Sequence, residues 1–119
     1  MKTAIYQQSS GKLWNHNGEL LTTGYSGAPS AVNNGTKQAI KSLGPIPLGT
    51  WIIGTAYTSK RVGPLAIPLY PMHDAFGRTY FRIHGDNPTM DYTASKGCII
   101  VHRGVRDKLI DYDQLVVIK

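Results

Sequence analysis

Glycine and proline constrain this chain more than any other feature, because they recur too often for long helices and fall where turns between strands belong. Thirteen glycines and seven prolines are spread through 119 residues, and glycine supplies positive φ while proline fixes φ and removes a donor. Ser9-Ser10-Gly11 and Asn17-Gly18 separate "TAIYQQ" (Thr3 to Gln8), "KLWNHN" (Lys12 to Asn17) and "ELLTTGYSG" (Glu19 to Gly27), which reads as a meander of antiparallel hairpins.

From Ala28 to Gly49 the alternation breaks. Pro29, Asn33-Asn34-Gly35 and Gly44-Pro45-Ile46-Pro47 frame "TKQAIKSL", expected to form a helical turn or two capped by Thr36. Strand signals resume at Thr50 to Tyr57, Leu65 to Tyr70 and Arg78 to Gly85, and "CIIV" (Cys98 to Val101) reads as a short apolar strand or the start of a buried turn. "GVRDKLIDY" (Gly104 to Tyr112) has near-helical spacing, and "QLVVIK" closes the chain as a strand. The expectation is a mostly β, single domain over residues 1–119 with one or two short helices.

Net charge is +6, but the lysines and arginines are scattered and form no stripe or nucleic-acid-binding module, so no nucleic-acid partner is expected. The opening "MKTAIYQQSSGKLW" lacks an apolar run of signal-peptide length, and no segment has the length needed to cross a bilayer. The expectation is a protein without an export signal and without membrane insertion.

The single cysteine, Cys98, cannot form an internal disulfide. A nucleophilic cysteine needs a base or positive neighbour and donors aimed at the oxyanion it creates. In Ser95-Lys96-Gly97-Cys98 the glycine leaves room for a carbonyl beside the N–H groups of Gly97 and Cys98; a turn glycine before a buried strand fits the same spacing. His84 ends the "RTYFRIHG" strand, in which Tyr80, Arg82 and His84 alternate onto one face, with Gly85 or Asp86 placed to orient the imidazole. His102 lies too far from Cys98 along an extended run, His73 falls in a loop, and His16 in an exposed turn. Cys98, His84, His102 and Asp86 lack paired metal-ligand spacing, so no metal is expected. Paired carboxylates for glycoside hydrolysis are equally poorly supported.

The stretch "IHGDNPTMDYTASKGCII" (Ile83 to Ile100) resembles the signature of L,D-transpeptidase catalytic domains, and "GPIPLGTWII" resembles the turn and strand that precede it there. The layout is closer to that of the compact type VI secretion L,D-transpeptidase effectors, whose "GYSG", "GPIP.G", "GR..F.IHGD" and "AS.GCII" motifs occur here at 24–27, 44–49, 77–86 and 94–100. Lys96 and Ile100 stand where the wider family usually has histidine and an arginine or asparagine.

The resemblance implies an L,D-transpeptidase-like antiparallel β-sandwich with Cys98 as nucleophile and His84 as base. It further implies Gly85 as orienter of His84, Ser95 as brace of the loop, and Gly97 with Cys98 as oxyanion donors. Arg78, Arg82, Lys96, His73 and Asp86 are the candidate substrate-binding residues. The implied activity is acyl transfer on peptidoglycan tetrapeptide stems without a cofactor, in the periplasm of a rival cell, with a secretion apparatus and a cognate immunity protein as partners. A phage or bacterial cysteine amidohydrolase cutting another bond, and a non-catalytic wall-binding module with Cys98 in its core, are the alternatives.

Overall fold

A computed structural model describes residues 1–60, 63–86, 95 and 97–119, the side chain of Ser59 excepted. Its strands are β1 (Thr3–Gln7), β2 (Lys12–Trp14), β3 (Leu20–Thr23), β4 (Tyr25–Ser26), β5 (Gly49–Ile53), β6 (Tyr57–Ser59), β7 (Gly63–Pro71), β8 (Phe81–His84), β9 (Ile99–Ile100) and β10 (Gln114–Ile118). One α-helix, α1 (Arg103–Leu109), and two single 3-10 turns, Pro29–Ala31 and Gly35–Lys37, complete the described elements. The mostly β expectation holds.

The sheet runs in the order β3-β2-β1-β10-β5-β7-β8-β9-β4, with β6 paired to β7. Most neighbours are antiparallel, but β1 pairs parallel with β10 (Thr3 beside Gln114) and β8 pairs parallel with β9 (Ile83 beside Ile99). The core gathers Ala4, Tyr6, Leu13, Trp51, Ile67, Phe81, Ile83, Ile99, Leu109 and Leu115. Trp51 meets Phe81 edge-on at 4.8 Å between centroids. At roughly 25 cal/mol per Å² of apolar area removed from water, these fully covered side chains are the main source of stability.

β3 and β4 stand at opposite ends of that order, yet only Gly24 lies between them in the chain. The sheet therefore curls until both margins meet. Gly24 N–H donates to the Gly11 carbonyl at 2.7 Å, and a Cβ on Gly24 would lie 2.1 Å from the Ile100 carbonyl oxygen. No larger residue fits the crossing.

Three local expectations are corrected. "ELLTTGYSG" is not one strand: Tyr25–Ser26 leaves β2 and pairs with β9. The cap of the Gly35–Lys37 turn is Asn34, whose side chain accepts from Thr36 N–H, because asparagine at that position reaches the second free amide. The strand read from Arg78 begins only at Phe81, because Tyr80 has φ +64° and breaks the alternation.

Candidate active site

β8 carries His84, and β9 begins one residue after Cys98. Phe81, Ile83, Ile99 and Val101 belong to the core, so alternation turns Arg82, His84, Cys98 and Ile100 to the opposite face. With His84 beside Ile100 and Ile83 beside Ile99, the same parallel register carried back one residue sets Arg82 next to Cys98. His84 is then diagonal to the thiol on one face of two adjacent strands.

The loop holding Cys98 is fixed by two serines. Ser95 Oγ donates to the Cys98 carbonyl at 2.6 Å and accepts from Gly27 N–H at 2.9 Å and Gly97 N–H at 3.1 Å. Ser26 Oγ donates to the Gly97 carbonyl at 2.9 Å and accepts from Ile46 N–H at 2.8 Å. Both hydroxyls are buried and tie the Cys98 loop to β4 and to the Gly44–Pro47 stretch. Gly97 itself has φ +136°, and a Cβ there would sit 2.5 Å from Arg78 Nη2 and 3.1 Å from Phe81 Cε1. Only glycine suits this position.

The Gly97 amide is not available in the way expected. It is already given to Ser95 Oγ, which leaves the Cys98 N–H as the remaining member of the expected oxyanion pair.

His84 is buried, and its Nδ1 donates to the Gly85 carbonyl at 2.9 Å. A carbonyl only accepts, so Nδ1 carries the proton and Nε2 keeps its lone pair. Burial holds the imidazole below its ordinary range; the Gly85 carbonyl opposes this, Arg82 and Arg106 reinforce it, and Asp86 opposes it. His84 is therefore neutral near pH 7. Glycine at 85 also admits Arg106, whose Nη2 would lie 2.8 Å from a Cβ there, while Arg106 Nη1 donates to the carbonyls of Pro64 and Leu65.

Cys98 is 8% exposed and points its thiol at the Tyr80 carbonyl, 3.7 Å away. Among the described residues no hydrogen bond joins it to His84. Burial pushes the thiol above its ordinary value, while Arg82, through its charge, its backbone N–H and its guanidinium, pulls it down, and Arg78 adds to that pull. Both directions favour the uncharged forms, thiol and imidazole, near neutral pH. Alkylation of Cys98 by iodoacetamide is expected to be slow at pH 7 and to rise with pH through the alkaline range. Arg82→Gln should slow it at a fixed pH below the thiol's ionisation, because the thiolate loses its nearest positive neighbour, and Arg82→Lys should restore most of the rate. An Arg82→Gln profile superimposable on wild type would remove Arg82 from the thiolate's surroundings.

The other candidate residues are dispersed. Arg78, expected to meet substrate carboxylates, is 5% exposed; it donates to the carbonyls of Gln38, Pro45 and Gly44 and lies over the Phe81 ring. Its guanidinium braces the fold. Arg82 remains half-buried beside Cys98 and also bonds the Tyr57 side chain. Asp86 accepts from the Tyr25 hydroxyl at 2.7 Å. His73 packs edge-on against Trp51, with its Nδ1 on the Asp74 carbonyl, and no contact joins it to Cys98 or His84 among the described residues. Lys96 lies outside the described residues. Ser26, Tyr25 and Arg106 were not singled out from the sequence, although "GYSG" contains two of them.

A cleft of about 430 Å³ lined by Ile53, Gly54, Ala56, Ile110 and Tyr112 contains neither Cys98 nor His84. Its one carboxylate, Asp111, is paired with Lys2 at 3.0 Å. The thiol, the imidazole and the braced loop make the Cys98 face the candidate site.

This fold is that of the L,D-transpeptidases. The chain superimposes on Pgp2, the helical cell shape determining protein of Campylobacter jejuni, with TM-score 0.61 at 12% identity, over 98% of this chain and 46% of that one. An L,D-transpeptidase mutant from Enterococcus faecium gives TM-score 0.58 at 14% identity, over 98% and 49%. The L,D-transpeptidase (Yku) of Stackebrandtia nassauensis gives 0.59 at 15%, over 99% and 55%. The chain thus spans about half the length of the solved chains it matches.

Within that fold the chain belongs to the Tlde1 domain family, whose sequence profile matches residues 21–116. A comparison with curated proteins returns no match.

Proposed function

We propose that this protein is a cysteine-dependent acyltransferase of peptidoglycan, acting on tetrapeptide stems as an L,D-carboxypeptidase, an L,D-transpeptidase exchanging D-amino acids, or both. The observation that carries the reading is that Cys98 immediately precedes β9, the strand paired in parallel with β8 where His84 sits, with the imidazole tautomer set by the Gly85 carbonyl. The family and the fold support it.

In this mechanism the thiol turns from the Tyr80 carbonyl toward His84, whose Nε2 takes its proton as sulfur attacks the carbonyl at the L-centre of diaminopimelate. The Cys98 N–H faces the developing oxyanion. His84 returns the proton to the departing amine, D-alanine leaves, and a thioester remains. Water or an amine then attacks, with His84 accepting its proton and delivering it to the sulfur. Arg82 eases the charge on sulfur and is the described cation nearest to meet a stem carboxylate. Lys96, Asp86 and His73 retain only their sequence-level assignment to substrate.

The setting that fits this activity is the periplasm of a rival cell, reached by a secretion apparatus and countered in the producer by an immunity protein. No helix among the described residues is long and apolar enough to cross a membrane.

The test is mass spectrometry of tetrapeptide muropeptides after incubation with the wild-type protein. Loss of one D-alanine, or its replacement by an added D-amino acid, is expected. An unchanged stem with cleavage elsewhere would transfer the assignment to another bond.

A further inference from the structure

Arg106 is a buried cation to which the proposed chemistry gives no task. It reaches from α1, is 6% exposed, and forms no salt bridge among the described residues. Its Nε is buried without a partner among them. A guanidinium held this way is costly, so its retention calls for a cause.

Three features of the surrounding chain converge on it. Nη1 donates to the carbonyls of Pro64 at 2.7 Å and Leu65 at 3.0 Å. Leu65 stands at φ +54°, a left-handed conformation that leucine rarely adopts and that persists where its surroundings impose it. The other arm of the fork, Nη2, lies against Gly85, where a Cβ would come within 2.8 Å of it. Gly85 is not one of the left-handed glycines, so its missing side chain answers to this close approach and not to its own backbone.

Gly85 is also the residue whose carbonyl accepts from His84 Nδ1. Because α1 packs on both β7 and β8, Arg106 ties the start of β7 to the peptide that orients the imidazole. The other charged or titratable groups around His84 are Arg82 on its own strand, Cys98 ahead of β9, and Asp86, which accepts from Tyr25 of β4. Arg103 and Asp107 flank Arg106 on α1. Arg106 is the one packed on Gly85 itself.

Resting on the Cys98 and His84 reading above, we propose that Arg106 is the positioning residue of the base. Its guanidinium buttresses the Gly85 peptide, so that His84 keeps its Nδ1 proton on that carbonyl and presents a bare Nε2 to the thiol. Burial first, then the charges of Arg82 and Arg106, disfavour a second proton on the ring, while the Gly85 carbonyl and Asp86 favour it.

The experiment follows the His84 tautomer and titration by nitrogen NMR in wild type, Arg106→Met and Arg106→Lys, beside D-alanine release from a tetrapeptide muropeptide. In Arg106→Met the form protonated on Nε2 should gain population and the titration midpoint should move up. Where the imidazole is already neutral, kcat should fall about tenfold with KM little changed, as for a base that has lost its aim. Arg106→Lys should keep the midpoint near wild type, because the charge remains, yet recover only part of kcat, because an ammonium lacks the planar fork. Gly85→Ala, which displaces the guanidinium, should resemble Arg106→Met and add little on top of it, since both act through one contact.

An unchanged tautomer and midpoint in folded Arg106→Met overturn the inference, as does full additivity of the two substitutions. Should Arg106→Met fail to fold, Gly85→Ala alone carries the test, and an unchanged tautomer there overturns the inference. The NMR readout needs no turnover. A changed imidazole in a protein inert on muropeptides would sink the peptidoglycan reading and leave the positioning role standing.

Discussion

Cys98→Ala is expected to release no D-alanine from tetrapeptide muropeptides, and His84→Gln to lose about two to four orders of magnitude in kcat/KM. Alanine removes the only thiol in the chain and leaves the Ser26 and Ser95 contacts to the backbone of Gly97 and Cys98 in place, so the variant should fold with the loop intact. Retained turnover by folded Cys98→Ala would sink the mechanism outright. The pH dependence separates the roles further. Burial keeps His84 below its ordinary 6.5, so the imidazole is a free base through the neutral range and the acid limb of wild-type kcat/KM should fall below that value. In His84→Gln no base remains, and residual activity should climb with pH as the thiol ionises above its ordinary 9.0. A residual activity that keeps the wild-type acid limb would remove His84 from the proton transfer.

Arg78→Met is expected to cost about 4 kcal/mol of folding stability, read as a lower midpoint in urea unfolding. Hydrogen bonds to charged groups contribute roughly 1.5–3 kcal/mol each and do not add fully. Arg78 donates to the carbonyls of Gln38, Gly44 and Pro45, and methionine fills the volume without satisfying any of them. The guanidinium fork also lies beneath Gly97 and against Phe81, so the loss would loosen the floor of the Cys98 loop. A surface cation would change stability by no more than about 0.5 kcal/mol. A measured change of that size would mean the carbonyls find other partners.

The parts of the site visible in the sequence are those whose chemistry is local. Gly97 must be glycine because of its own φ, and His84 followed by Gly85 encodes both an imidazole and a nearby carbonyl to orient it. The family resemblance supplied Ser95 as a brace, and two of its partners, Gly97 and Cys98, do lie within three residues, but the third, Gly27, arrives from far along the chain. What was not legible depends on chain folding back from a distance. Arg78 looks like any surface cation until the Gln38 to Pro45 segment arrives around it. Ser26 gains its role only when β4 crosses to β9, and "ELLTTGYSG" gives no sign of that departure beyond one glycine. The Gly97 amide looked free because nothing in the spacing tells which way the Ser95 hydroxyl turns. Tyr80 was assigned to the wrong face because period-two alternation was carried through a residue whose φ is positive.

Gly24 belongs to both margins of the sheet, and that has a consequence for cooperativity. β4 cannot peel from β9 without pulling Gly24 away from the Gly11 carbonyl, and β3 cannot fray without tugging the strand that backs Ile99 and Ile100. Partial opening near the thiol is thereby expected to accompany opening of the N-terminal hairpin, with amides in β2, β3 and β9 exchanging as one unit rather than three. Cys98, placed at what would otherwise be a ragged edge, should then share the opening free energy of a segment more than seventy residues earlier in the chain.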